Sequence, residues 1–334
     1  MRIAVLGATS YIAQDFIRTI ALRNDVALDL YGRNPEVLLT WLSIENLPAI
    51  FKVKTYSQFN KDNSYDAIIN FIGVGNPADA KAMGASIFAI TAEYDKMALD
   101  YLHNHPKTKY IFLSSGIAYG SNFEKPVDEC SKTCLDLNNQ LETDWYAKSK
   151  IYCELLHRSL RHLNIIDLRI FNYFSRNIDL TNRYLITDIL RAVKNQEHFY
   201  TNAQNIWRDF LHPQDFYQIV SLILAEDSIN EVFDCYSQAP IDKFSLLTAI
   251  KENFSFSFSY TESADLSINA TGLKKKYYSE NYKAAFWGYK PQKTSMQCII
   301  EEATSLMYAN TSPLKMIKNS DQNATAALVL ADGI

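Results

Sequence analysis

The sequence predicts an α/β protein, a doubly wound parallel sheet with a smaller α+β unit closing over one end. Short, continuously apolar runs alternate with helix-like segments through the first half of the chain, a glycine turn follows the first run, and the rhythm loosens in the second half. Strands that are apolar at every position belong to a sheet covered by helices on both faces, which is the parallel arrangement.

In chain order, "RIAVLG" (2–7) is the first strand and "YIAQDFIRTIAL" (11–22) the first helix. "VALDLYG" (26–32) and "PEVLLTWL" (35–42) repeat the unit. "DAIINFIG" (66–73) is followed by one long helical segment over 79–102. "YIFLSSG" (110–116) precedes the helix that begins near Trp145, and "IIDLRIF" (165–171) follows it. After about residue 172, "YLITDILRAVKN" and "PQDFYQIVSLILAED" read as helices, "VFDCYS" and "FSFSFSY" as short strands. The expected division is a first domain over 1–172, with segments near 205–240 returning to it, a second over 173–308, and a polar tail at 309–334.

With 334 residues, 48% hydrophobic and 21% charged, the chain has material for a sizeable core. The formal net charge is −4, and the one basic cluster, "LKKKYY" (273–278), reads as a solvated helix face, so nucleic acid is not an expected partner. No apolar run is long enough to span a bilayer, the N-terminus enters a strand directly, and five scattered cysteines give no disulfide framework. A cytoplasmic location without membrane contact is expected. Cys130 and Cys134 read as free thiols in a loop, and no metal is expected.

The turn "LGATSYIA" (6–13) joins a strand to a helix. Gly7 suits the tight turn, and the small residues Ser10 and Ala13 stand where further glycines would admit a pyrophosphate. Thr9, Tyr11 and Ile12 complete this phosphate-facing turn, whose helix end offers free N–H groups. The second strand ends in Gly32, Arg33 and Asn34 in place of the acidic residue that would hold a ribose 2′-hydroxyl. Arginine pairs with a 2′-phosphate, so NADP(H) is preferred, with NAD(H) as the alternative.

Tyr146 and Lys150 are four apart on a predicted helix and share a face. An ammonium beside a phenol is expected to lower its pKa and make it a usable acid or base at neutral pH. Ser115, at the end of "YIFLSSG", lies where ligands of such sheets bind and can donate a hydrogen bond to a carbonyl.

The ordered set "GATSYIA", "NFIG", "SSGIAYG", "YAKSK", "LRIFNYF", "RDFLHPQD" and "FWGYKPQKTS", spanning roughly 1–307, resembles the extended short-chain dehydrogenases/reductases, the nucleotide-sugar epimerases, dehydratases and 4-reductases. The resemblance implies a Rossmann domain and a smaller substrate domain. It implies a catalytic triad of Ser115, Tyr146 and Lys150, with Lys150 also on the nicotinamide ribose. Phe71, Ile72 and Gly73 then belong to the cofactor site, and Gly116, Asn172 and Arg208 join Ser115 at the nucleotide-sugar substrate. Relatives often dimerise through the active-site helix, so a homodimer is an expectation.

Departures from the family pattern narrow the reaction. Dehydrating relatives carry an Asp-Glu pair after the serine or threonine, where this chain has Gly116 and Ile117; relatives epimerising two carbons before reduction carry a cysteine that 112–120 lacks. An NADPH-dependent 4-ketoreductase is the expected function, with a nucleotide-sugar 4-epimerase as the alternative. A catalytically silent cofactor sensor or scaffold is the alternative of another class, and it sits poorly with an intact Ser, Tyr and Lys.

Overall fold

The computed structural model describes residues 1–47, 51–74, 77–135, 138, 144–261 and 274–308; the tail read at 309–334 lies outside them. The first half contains β1 (Arg2–Leu6), α1 (Tyr11–Ile20), β2 (Ala27–Tyr31), α2 (Pro35–Ile44), β3 (Lys52–Lys54), β4 (Ala67–Asn70), α3 (Pro77–Met83), α4 (Ser86–Asn104), β5 (Lys109–Ser115), α5 (Trp145–Ser159) and β6 (Ile165–Ile170). The second half adds α6 (Leu185–Asn195), β7 (Phe199–Thr201), β8 (Trp207–Arg208), α7 (Pro213–Ala225), β9 (Asn230–Cys235), β10 (Ile241–Asp242), α8 (Lys243–Asn253), β11 (Phe258–Tyr260), β12 (Lys276–Tyr277) and α9 (Ser295–Tyr308).

Seven parallel strands form the main sheet in the order β3-β2-β1-β4-β5-β6-β9. The order reverses between β1 and β4, and the crevice above that point is where such sheets bind ligands. Strand residues alternate between two apolar layers. Ile3, Val5, Leu28, Leu30 and Ile69 pack with α1, α2 and α7, while Ala4, Leu6, Ile68, Tyr110 and Phe112 pack with α4 and α5. A third core cluster joins α6, α8 and α9 beside the small sheets β10-β8-β12 and β11-β7. This is the doubly wound, Rossmann-like architecture with an attached α+β lobe.

Some elements differ from the sequence reading. The helix expected over 79–102 is two helices, α3 and α4, separated at Gly84, whose φ of +50° leaves helical geometry. The edge strand β3 went unread, because Val53 lies between two lysines and gives no apolar run. "LKKKYY" is not a solvated helix face. It enters strand β12, Lys274 is buried, and only Lys275 meets the expectation, pairing with Glu124 at the surface.

Helix α5 docks differently from its neighbours. Its buried positions include Ser149, Lys150, Glu154 and His157, a polar stripe facing β5 and β6. The Lys150 ammonium donates to the Leu113 carbonyl (2.7 Å). Glu154 accepts from Ser114 Oγ (2.5 Å) and from both ends of the Arg169 guanidinium. His157 places Nδ1 2.7 Å from Asp167 and Nε2 2.9 Å from Asp95. With a carboxylate on each nitrogen, the ring is a doubly protonated cation: burial opposes its charge, but the two carboxylates raise its pKa from the ordinary 6.5 to about 10. Asp95 also accepts from Tyr110, whose hydroxyl accepts from Asn70 at the end of β4.

A raised histidine pKa contributes stability that is complete below about pH 6.5 and is lost as pH rises toward about 10. His157→Gln, which cannot carry the charge, is expected to lose about 3 kcal/mol or more at neutral pH, the usual cost of breaking a buried ion pair. Urea unfolding at pH 6, 8 and 10 checks this: the wild-type midpoint should fall across the series and the variant's should change less.

Candidate functional site

The turn after β1 is shaped by contact. Gly7 has φ +74°, and a Cβ there would lie 2.9 Å from the Ile72 nitrogen and 3.0 Å from the Phe71 carbonyl carbon, so only glycine lets β1 and β4 approach. Ser10 caps α1, its hydroxyl accepting from Ala13 N (3.5 Å). Thr9 is exposed above the turn, and the Tyr11 and Ile12 amides lie in the first turn of α1, facing the crevice with the positive end of the helix. The Phe71 side chain belongs to the core against Phe16, leaving only its backbone toward the crevice. A Cβ on exposed Gly73 would stand 3.7 Å from Lys150 Nζ, ordinary contact distance, so the turn after β4 lies directly beside that ammonium. The residues fit a dinucleotide: a Cβ-free turn, a helix end for its phosphates, and a buried lysine beside the exposed glycine that follows β4.

At the end of β2, Arg33 is exposed, and its charge reaches the Tyr56 and Tyr94 phenols, lowering both against the rise that burial causes. Tyr56 accepts from the Gly7 amide (3.2 Å) and packs 4.7 Å from the Tyr94 ring. Asn34 caps α2, accepting from Glu36 N. Asp29 is consumed inside the sheet by Arg2, Lys54 and Tyr65.

Ser115 ends β5, and its hydroxyl lies 3.3 Å from the Tyr277 hydroxyl. It is also the hydrogen-bonding neighbour that draws the Tyr146 pKa down, although burial is the larger effect and leaves that pKa above the ordinary value. The expected depression of Tyr146 by Lys150 is therefore reversed. Lys150 Nζ sits 5.8 Å from the Tyr146 ring centroid, directs its hydrogen bond to Leu113, and is itself lowered by burial. Tyr146 is a neutral, protonated phenol near neutral pH.

Gly116 is fixed by the Phe171 ring, whose atoms would stand 2.4–2.8 Å from a Cβ. Asn172 donates from Nδ2 to the Asp209 carbonyl (2.9 Å), which ties β6 to the segment carrying Arg208. Arg208 is held in place by donating Nη1 to the Trp207 and Lys274 carbonyls, and burial lowers its pKa to about 10. Its Cζ lies 6.0 Å from the Tyr277 ring centroid, so Arg208, Lys274 and Ser115 all neighbour Tyr277, and Tyr146 neighbours Ser115.

Sequence reading missed Tyr277, Tyr184 and Lys274. Tyr184 stands at the N-cap of α6, and burial raises its phenol above the ordinary range, with Tyr11, Tyr146 and Tyr277 adding to the rise. No spacing rule singles out such residues; the lobe closes them onto β5 from far along the chain. The His212, Glu301 and Glu302 cluster does not suit a metal. His212 Nδ1 accepts from Gln214 N, which puts the proton on Nε2, and Arg176 and Lys293 already neutralise the two glutamates.

Among the described residues, no helix is long and apolar enough to cross a membrane. A comparison with curated proteins found no match. Solved structures with the same fold include the UDP-glucose 4-epimerase of Thermotoga maritima, crystallised with UDP-glucose (TM-score 0.74, 15% identity, 93% of this chain and 100% of that one). The UDP-glucose-4-epimerase of Stenotrophomonas maltophila, with bound NAD, is similar at TM-score 0.75 and 15% identity over 92% of this chain and 98% of that one. The dTDP-glucose 4,6-dehydratase of Bacillus anthracis, in complex with NAD, is similar at TM-score 0.71 and 14% identity over 93% and 97%. The family model described as NAD dependent epimerase/dehydratase matches residues 3–235, and with that match over most of its length the chain belongs to the NAD-dependent epimerase/dehydratase family.

Proposed function

We propose that the protein is an NADP(H)-dependent reductase of a nucleotide-linked 4-keto sugar. The observation that carries this reading is the placing of Tyr146 beside Ser115 at the end of β5, with the Lys150 ammonium 5.8 Å from its ring centroid: a protonated phenol there can give a proton to a carbonyl oxygen. The dinucleotide would be held by the Gly7–Ile12 turn, by Arg33 at its 2′-phosphate end, and by Ile72, Gly73 and Lys150 at its nicotinamide end. When bound, it supplies the hydride that reduces the carbonyl carbon. Ser115 orients the carbonyl oxygen by hydrogen bonding and Tyr146 donates its phenolic proton to that oxygen. The positive charge of Lys150 stabilises the phenolate left behind. Arg208 receives the anionic part of the nucleotide sugar.

Dehydration fits the pocket poorly, because an acid at position 116 would collide with the Phe171 ring. Epimerisation at C4 is the second reading, favoured by the activity named for the Thermotoga and Stenotrophomonas structures. It requires Tyr146 to begin as a base and the oxidised cofactor to stay bound through the cycle. A homodimer through α5, whose Tyr152 and Leu155 are exposed, belongs to the same proposal.

Tyr146→Phe is expected to reduce turnover by about 100-fold or more while NADPH affinity changes little, since positioned acids contribute about 10² to 10⁴; turnover close to wild type would remove Tyr146 from its role. Arg33→Ala is expected to weaken NADPH by about tenfold and NADH hardly at all, measured by fluorescence titration. Identification of any dinucleotide released on denaturing the purified protein separates the two reactions. Retained NAD supports the epimerase, and an empty site that prefers NADPH supports the reductase.

A further inference from the structure

The proposed reaction uses Tyr146 and Lys150 at one end of α5 and gives the buried residues of its other end no task. Two routes join this helix to the turn after β4. The short one is direct, since a Cβ on Gly73 would stand 3.7 Å from Lys150 Nζ. The long one is a chain of hydrogen bonds through the core. His157 Nε2 lies 2.9 Å from Asp95 Oδ1, and the Tyr110 hydroxyl donates to the same oxygen (2.8 Å). Asn70 Nδ2 donates to the Tyr110 oxygen (2.9 Å), and the Ile72 amide donates to Asn70 Oδ1 (2.9 Å). His157, Asp95, Tyr110 and Asn70 are each at most 1% exposed.

This chain has a direction, and an anionic Asp95 sets it. As an acceptor it takes the one proton of Tyr110, a phenol that burial and the Asp95 charge hold in its protonated form. The phenol oxygen then accepts from Asn70, which turns Asn70 Oδ1 toward the Ile72 amide. A buried carboxylate deprived of its cation takes up a proton. A neutral Asp95 would donate to the Tyr110 oxygen, Tyr110 would donate to Asn70 Oδ1, and the flipped amide would set its own N–H group against the Ile72 N–H. The doubly protonated His157 ring prevents that reversal. It is itself fixed by Asp167 at 2.7 Å, which Arg158 also meets at 3.0 Å. The turn at the far end has little room to shift: the Ile72 nitrogen and the Phe71 carbonyl carbon are the atoms that a Cβ at Gly7 would strike, and Lys150 stands beside Gly73.

We propose that His157 is a positioning residue for the dinucleotide: its charge keeps the Asp95–Tyr110–Asn70 chain in one direction and so fixes residues 71–73 between the phosphate turn and Lys150. The inference rests on the dinucleotide reading of that turn. His157 touches no ligand in this role. Its influence falls on the nicotinamide half, assigned to Ile72, Gly73 and Lys150, and spares the adenine end at Arg33.

The test is a double-mutant cycle in the full-length protein with His157→Gln, which removes the charge, and Tyr110→Phe, which removes only the linking hydroxyl. NADPH and NADH are titrated by calorimetry near neutral pH, alongside adenosine 2′,5′-bisphosphate and AMP, the matching fragments that lack the nicotinamide half. Each single variant is expected to bind the tighter dinucleotide about tenfold more weakly and its fragment within about twofold of wild type. The double variant is expected to lose no more than the larger single loss, because both changes cut one chain. Single losses that multiply in the double variant come from independent effects and overturn the proposal. Wild-type dinucleotide affinity in the single variants overturns it as well, and so does an equal loss for dinucleotide and fragment, which marks damage to the whole fold. If His157→Gln does not fold, Tyr110→Phe carries the test: unchanged dinucleotide binding there leaves the charge no route to the turn and overturns the proposal. In each of these cases the wild type binds, and the cofactor reading stands. If the wild type binds neither dinucleotide, the cofactor reading fails and this inference with it.

Discussion

The position of α5 on the sheet is the constraint on which the site depends. The helix carries Tyr146 and Lys150, and its inward face is polar where its neighbours use apolar packing. Three contacts along one stripe locate it: Lys150 on the Leu113 carbonyl, Glu154 in the Arg169 fork, and His157 between Asp95 and Asp167. Hydrophobic contacts tolerate sliding, because they are roughly proportional to area and carry no direction. Charge-assisted hydrogen bonds are directional and fix rotation and height together. The same Asp95 that receives His157 is linked through Tyr110 and Asn70 to the backbone of Ile72, so the helix and the strand end across the crevice share one scaffold.

The titratable groups above that scaffold have a consistent electrostatic sense. Burial raises the phenols of Tyr11, Tyr146 and Tyr277 and lowers Lys150, Arg208 and Lys274. Both trends follow from removing water, which disfavours whichever form is charged. The outcome is a group of neutral phenol donors beside cations whose charged form burial disfavours. The opposite arrangement holds beneath α5, where cations and carboxylates are matched.

The doubly wound sheet was legible because its strands are apolar runs, and the phosphate turn because Gly7 follows one of them. The Ser115, Tyr146 and Lys150 set was legible from order and helical spacing, and the structure brings the three together. The sign of the Tyr146 shift was not, since spacing reveals neighbours but not depth, and burial outweighs the single hydrogen bond that opposes it. Lys274 was misread for a related reason: a run of three lysines reads as solvent-facing, while alternation along the chain entering β12 turns its members in different directions. Tyr184 and Tyr277 escaped notice because tyrosines are abundant in this chain and only tertiary closure selects among them.

The chain leaves the main sheet after β6 and returns with β9, so on the edge away from β5 Ile165 meets its partner at Asn230 and Ile170 at Cys235. While the protein is being synthesised, β6 can pair with β5 but keeps its outer edge open until β9 is made, beside a core that also waits for α7 to cover α1. An unpaired strand edge is a template for association with other chains. The attached α+β lobe lies largely within and beyond this detour. Newly made chains therefore expose this edge throughout the interval in which residues 171–229 are threaded out, and the finished fold covers it with β9.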